Sequence, residues 1–309
     1  AMTGATPRQV VLVGAGDPSL SWSDLRRLAA GTARTVKAAG LTRVGVQVDD
    51  SLFPRPTNAY GWRSTYTIAD VSPVRALVVA QHRGWDTSLH AGQAFAEMLR
   101  RKGLSVRRAV VRAPAPEGSM ELAAVRGDDV ATQVAGMLRT SDNDVAEGLH
   151  RLVALQAGYP ATWEGAAEAQ VAVLAGLGVR VAPGRLHDGS GLSRRDRLRP
   201  REVADVLRAA FDPDHPNLAG LRSGAMAVAG VSGTLAPNYL RYVTRPTKCA
   251  AGLVEGKTGS LRGVIALSGL ARGADGRVKV FSFLLNRVPS TLTTRRAVDK
   301  LAATVTGCW

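Results

Sequence analysis

Glu255-Gly256-Lys257-Thr258-Gly259-Ser260-Leu261 decides the fold of this chain. It reads as the first of three C-terminal strands, around Lys257–Ser260, then Val264–Leu270, then Val278–Leu285. Ala274-Asp275-Gly276 supplies a hairpin turn between the last two. Thr293 and Thr294 can cap a closing helix that runs to about Thr304. Lys257 places a cation on a strand edge. The hydroxyls of Thr258 and Ser260 stand two residues apart on one side, a set that can hold a substrate carboxylate. Gly259 has no side chain, so a ligand backbone can come close. The Ser260 N–H can aim at a developing oxyanion.

Upstream, Val130–Leu138, Val145–Leu155, Trp163–Leu177 and Arg201–Ala210 read as helices. Between the first two lies Ser141-Asp142-Asn143. A hydroxyl there can relay a proton, and a carboxamide can bind a peptide carbonyl. Asp142 is expected to fix the turn by local bonds. His187-Asp188-Gly189-Ser190-Gly191-Leu192-Ser193-Arg194 is a glycine-rich loop. Taken singly, these segments are an ordinary capping run, turn and loop.

The first ~120 residues alternate strand and helix. Val10–Val13, the alternating Val44, Val46 and Val48, then Val74–Ala80 and Val106–Val111 read as strands. Leu25–Ala39, with Asp24 as cap and Gly40 as stop, reads as a helix, and so does Leu89–Arg101 before Gly103. Asn58–Thr67 reads as loop. Pro114-Ala115-Pro116-Glu117-Gly118 is the linker candidate, so the chain divides into 1–118 and 119–309.

Ser-x-x-Lys, Ser-Asp-Asn and Lys-Thr-Gly form the known set of serine penicillin-recognising enzymes, and the last two occur here in that order. With Leu12-Val13-Gly14-Ala15-Gly16-Asp17-Pro18-Ser19-Leu20, Val48-Asp49-Asp50-Ser51-Leu52-Phe53, Trp62, Asp188–Arg194, Gly233-Thr234-Leu235 and Leu267-Ser268-Gly269, the chain resembles the class C, low-molecular-mass penicillin-binding proteins over nearly its whole length. These are D-Ala-D-Ala carboxypeptidases and endopeptidases of bacteria. The resemblance implies an α/β (α+β) fold. Residues 119–309 would be the C-terminal part of a penicillin-recognising, transpeptidase/β-lactamase-like domain, and 1–118 an inserted α/β accessory region. It implies a serine peptidase acting through an acyl-enzyme on peptidoglycan stem peptides, covalently inhibited by β-lactam antibiotics. It implies an extracytoplasmic location and no metal or organic cofactor. Ser141 would relay the proton and Asn143 bind the substrate amide. Lys257, Thr258 and Ser260 would engage the terminal carboxylate, with Gly259 giving room. Asp188 and Ser190 would belong to a loop that shapes the site.

The nucleophile segment is missing. Three residues before Lys37, Lys102, Lys248, Lys257, Lys279 and Lys300 stand Arg34, Leu99, Arg245, Val254, Gly276 and Ala297, none of them serine. The family motif is expected about a hundred residues upstream. Ala1-Met2-Thr3 reads as an added or trimmed start, and no signal peptide is visible.

Net charge is +15, and the first reading of such a surplus is a polyanion partner. The basic residues are scattered except for Arg194–Arg201, and aromatics are only 5%, too few for a base-stacking platform. Nucleic acid is therefore not expected, whereas anionic cell-wall polymers fit. The apolar runs are far shorter than the ~20 residues of a membrane span. The five histidines lack metal spacing and are expected on surfaces or helix faces. Cys249 and Cys308 can pair or stay free. Two other readings compete with the enzyme: a pseudoenzyme that binds peptidoglycan without cleaving it, and an envelope scaffold held by charge.

Overall fold

The structure is a computed structural model and describes residues 1–221 and 224–308. The chain forms two compact units. The first comprises Ala1–Asp129, Asn143–Gln170 and His187–Arg195, and the second Val130–Asp142, Val171–Leu186 and Asp196–Trp309. These packing units do not follow the chain-order boundary expected at residue 118, because the chain passes between them several times.

Among the described residues the first unit holds a five-stranded sheet. Its strands are β1 (Met2–Thr3), β2 (Gln9–Val13), β3 (Arg43–Asp49), β4 (Ser105–Val106) and β5 (Val111–Arg112). β2 and β3 run parallel, joined through helix α1 (Trp22–Ala38). A parallel pair needs such a crossover. Val10, Leu12, Val44, Val46 and Val48 pack with Leu25, Leu28 and Val36 of α1 and with Phe95 and Leu99 of α2 (Thr87–Arg101). Removing each such side chain from water contributes about 1.5–3 kcal/mol.

Three expectations change here. The cap of α1 is Ser21, and Asp24 is the third helical residue, bonding back to the Ser21 N–H in a capping box. Val74–Ala80 is largely buried but bends at Ala76 and makes no ladder. Its carbonyls are taken by other partners. Ala76 C=O accepts from Gly16 N–H (2.9 Å), and Leu77 C=O from the Thr87 and Ser88 hydroxyls (both 3.1 Å). Gly14 lies so close that a Cβ there would sit 2.5 Å from the Ala76 carbonyl oxygen. The strand expected at Val106–Val111 is split, with β4 and β5 both pairing with β3 on either side of a bulge.

The second unit is built on an antiparallel sheet in the order β6 (Ala227–Val228), β7 (Val254–Leu261), β8 (Val264–Arg272), β9 (Val278–Asn286). Leu235, Val254, Ile265, Leu267, Phe281, Val298 and Ala302 form its core, the last two from the closing helix of residues 292–306. That helix starts at the N-cap Thr291, two residues before the expected Thr293. Its Asp299 takes a bidentate bond from the buried Arg241 guanidinium, at 2.6 and 2.5 Å. Losing one partner of a buried pair like this leaves an uncompensated charge.

Cys249 and Cys308 form a disulfide with Cα atoms 5.9 Å apart, closing a separation of 59 residues. Cross-linking a loop of that length restricts the unfolded chain by about 4 kcal/mol in the chain-entropy account. Replacing both cysteines by serine is expected to lower unfolding stability by about 2–4 kcal/mol. Urea unfolding of the double variant beside the wild type, each with and without reductant, checks this. Equal stability in all four samples would show that the bond contributes nothing.

Candidate active site

Helix α3 (Val130–Thr140) delivers Ser141 at its C-terminal end. The Ser141 N–H donates to Met137 C=O at 2.8 Å, which closes the helix, and its φ of +61° puts it in the left-handed region. Helices usually place glycine there, since a Cβ costs about 1–2 kcal/mol. Serine at this position keeps a hydroxyl where geometry alone favours none.

The hydroxyl meets Lys257 of β7. Lys257 Nζ donates to Ser141 Oγ at 2.5 Å and to the Thr258 carbonyl at 2.8 Å. The ammonium is half-buried with no carboxylate partner among the described residues. Burial lowers its pKa from the ordinary lysine value to about 8. Beside it, the Thr258 hydroxyl donates to the Thr234 hydroxyl at 2.9 Å.

Gly233, next to Thr234, fixes the approach of α3. Its φ is +59°, and a Cβ there would lie 2.4 Å from the carbonyl oxygen of Arg139, two residues before Ser141. The short turn Gly233-Thr234 therefore touches both halves of the pair: the backbone leading to Ser141 and the hydroxyl next to Lys257.

β7 has an open edge here. β6 pairs only with Glu255 and Gly256, so from Lys257 to Leu261 the side away from β8 has no strand neighbour among the described residues. An unpaired strand edge is a template for an extended peptide. Ser260 is exposed, and a side chain at Gly259 would press on Ala266 of β8 at 3.2 Å.

The other expected residues lie in the first unit. Asn143 opens helix α4 (Asn143–Gln156), and its Nδ2 donates to the Asp70 carbonyl at 3.0 Å. Asp188 is buried, and its carboxylate accepts from Trp62 Nε1 (2.7 Å), Gly191 N–H (2.9 Å) and Ser193 N–H (2.6 Å). These bonds tie Asp188 to the loop that follows it. Ser190 Oγ accepts from the Leu192 N–H.

Sequence reading missed what lies under this loop. Glu147 of α4 is fully buried and accepts the N–H groups of Gly189 and Ser190, both at 2.9 Å. Burial, then the nearby Asp188 charge, pushes its carboxyl well above the usual range. Arg151 is equally buried. Its guanidinium donates to the carbonyls of Ala161 (2.6 Å) and Pro54 (2.7 Å) and lies 4.5 Å over the Trp163 ring. Its pKa falls to about 10 through burial, so it stays a cation at neutral pH. His150 is buried too, and burial lowers it to about 4. A signal was present: Asn143, Glu147, His150 and Arg151 recur at helical spacing and form a polar stripe.

Two outcomes follow. Lys257 should titrate near pH 8, seen as a lysine side-chain NMR midpoint that is absent in Lys257→Arg. The unfolded lysine keeps its proton to about pH 10.4. The unfolded chain then holds more protons between those values, and stability rises with pH across that window. Gly233→Ala should cost about 1–3 kcal/mol and return the Lys257 midpoint toward its ordinary value, as the end of α3 is pushed away. An unchanged midpoint in a folded variant would separate Gly233 from the pair.

Residues 2–84 and 80–305 match the D-Ala-D-Ala carboxypeptidase 3 (S13) family. A carboxypeptidase of Mycobacterium tuberculosis is 33% identical over 318 residues, covering 97% of this chain and 67% of that protein. Penicillin binding protein 4 (dacB) of Haemophilus influenzae has a similar fold, with TM-score 0.80 at 20% identity over 99% of this chain and 83% of its own. The structure of the same protein complexed with a β-lactam gives 0.72 over the same coverage. The chain belongs to the D-Ala-D-Ala carboxypeptidase 3 (S13) family of serine-type hydrolases.

Proposed function

We propose that these residues form the substrate-holding part of a serine D-Ala-D-Ala carboxypeptidase that trims peptidoglycan stem peptides outside the cytoplasm and is acylated by β-lactams. The observation that carries the reading is the Lys257–Ser141 contact on the open edge of β7. A stem peptide lying along that edge would present its terminal carboxylate to Lys257, Thr258 and Ser260. The Ser260 N–H would stabilise the oxyanion as the acyl-enzyme forms. Ser141, held by the Lys257 ammonium, is suited to pass a proton toward the leaving D-alanine. Asn143 has committed its Nδ2 to Asp70, which leaves its carbonyl oxygen for a substrate N–H. Asp188 and Ser190 act on the loop. The nucleophile would come from a Ser-x-x-Lys segment outside these 309 residues. Residues 1–118 are read as a region inserted between that segment and Ser141. The name of the M. tuberculosis relative favours a carboxypeptidase, and the Haemophilus complex favours β-lactam binding.

Intact mass of the complete protein before and after a penicillin tests this. The expected result is one covalent adduct, with acylation slowed at least 100-fold in Lys257→Ala. Normal acylation of that variant would remove Lys257 from the mechanism. No adduct, with binding of an acyl-D-Ala-D-Ala peptide retained, would leave a peptidoglycan-binding protein without catalysis.

A further inference from the structure

The sheet of the first unit has one face packed under α1 and α2. On β3, Val44, Val46 and Val48 are buried, while the alternate residues Arg43, Gly45 and Gln47 are not. An open groove of about 650 Å³ lies along those alternate residues, with Arg8, Gln9 and Arg107 also on its lining.

The groove exists because the sheet is interrupted. β4 pairs with Arg43 and Val44, and β5 with Gln47 and Val48. Two residues of β3, Gly45 and Val46, separate those registers, against four, Arg107 to Val110, on the other side. The surplus residues bulge away and carry Arg107 to the rim. The bulge is held in place by Arg100, whose Nη2 donates to the carbonyls of Val106 (3.3 Å) and Arg107 (3.0 Å). At Gly45 a Cβ would lie 3.7 Å from Arg107 Cδ, so any side chain there would begin to fill the groove.

The charges are one-sided. Arg8, Arg43 and Arg107 are exposed and make no ion pair among the described residues. Elsewhere in the same unit, Arg75, Arg100 and Arg112 each have a carboxylate partner. The lining holds no acidic residue and no aromatic ring. Three like charges around one groove repel one another until an anion arrives. Guanidinium forks match phosphate oxygens bidentately and are weakly hydrated. Without an aromatic platform the groove has nothing to stack bases on, which disfavours single-stranded nucleic acid.

We propose that this groove binds a phosphodiester-linked polymer of the cell envelope, seating its phosphates on Arg8, Arg43 and Arg107. The site is separate from Lys257 and would hold the protein against its substrate layer. It rests on the reading above only for the extracytoplasmic location of the polymer.

The test is titration calorimetry of the chain with poly(glycerol phosphate) across a range of salt. Three proteins are compared: the wild type, Arg8→Glu/Arg43→Glu/Arg107→Glu, and Arg26→Glu/Arg34→Glu/Lys37→Glu. The last changes net charge equally on exposed positions of α1. The groove variant should bind at least tenfold more weakly and show a shallower salt dependence by about 2 in the log–log slope. The α1 variant should change less than about threefold. Equal weakening in both variants would make the binding a property of overall charge and overturn the site. So would no binding by the wild type at low salt, or a single-stranded oligonucleotide of equal charge binding as tightly through the same arginines. Penicillin acylation of the complete protein carrying the groove substitutions should be unchanged. Loss of polymer binding with acylation intact separates this site from the catalytic reading, which can fail independently.

Discussion

The structure of the second unit depends on bringing one ammonium group to one hydroxyl. Lys257 sits on a strand edge, half-buried and without a carboxylate partner among the described residues, and Ser141 comes from the end of a helix 116 residues earlier in the chain. Such a cation tolerates burial only when polar atoms face it, and here those atoms are Ser141 Oγ and the Thr258 carbonyl. The neighbouring features serve that contact. Ser141 holds a left-handed backbone, Gly233 lets the Arg139 carbonyl pass, and Thr234 bonds Thr258. The shortness of β6 leaves the edge open where Lys257 begins. A strand that paired further along would cover that side of β7.

The first unit solves a different problem, the burial of charge beneath a glycine-rich loop. Glu147 and Asp188 are carboxylates with little or no solvent, and each is met by backbone N–H groups of residues 189–193. Arg151 supplies a cation, itself held by two carbonyls and an aromatic face. A network of this kind stabilises a single loop conformation because each lost partner would strand a buried polar group. The tripeptide Ser141-Asp142-Asn143 is divided between the two tasks. Ser141 belongs to the second unit, while Asn143 starts the helix that carries Glu147 and Arg151 in the first.

Strands and helices with strong periodicity were legible. The three C-terminal strands, the hairpin turn at Gly276 and helices α1 to α4 stand within a few residues of where apolar spacing puts them. Val74–Ala80 was not legible, because a run of buried apolar residues looks the same whether its carbonyls meet a strand or the hydroxyls of Thr87 and Ser88. Nor was the break in Val106–Val111, since two surplus residues in a ladder appear only when the partner strand is known. Glu147 and Arg151 were passed over because charged residues at helical spacing usually face water.

By itself, the sequence determined the local chemistry: which residue types carry a cation, hydroxyl or carboxamide, which segments extend or coil, and which family the motifs resemble. Those properties depend on near neighbours along the chain and survive without knowledge of packing. Tertiary structure alone decided the pairing of Cys249 with Cys308, the lowered pKa of Lys257, the burial of Asp188, and the gathering of three arginines around one groove. Each of these depends on distances between residues far apart in sequence and on how much water reaches them. Only the folded chain sets those quantities.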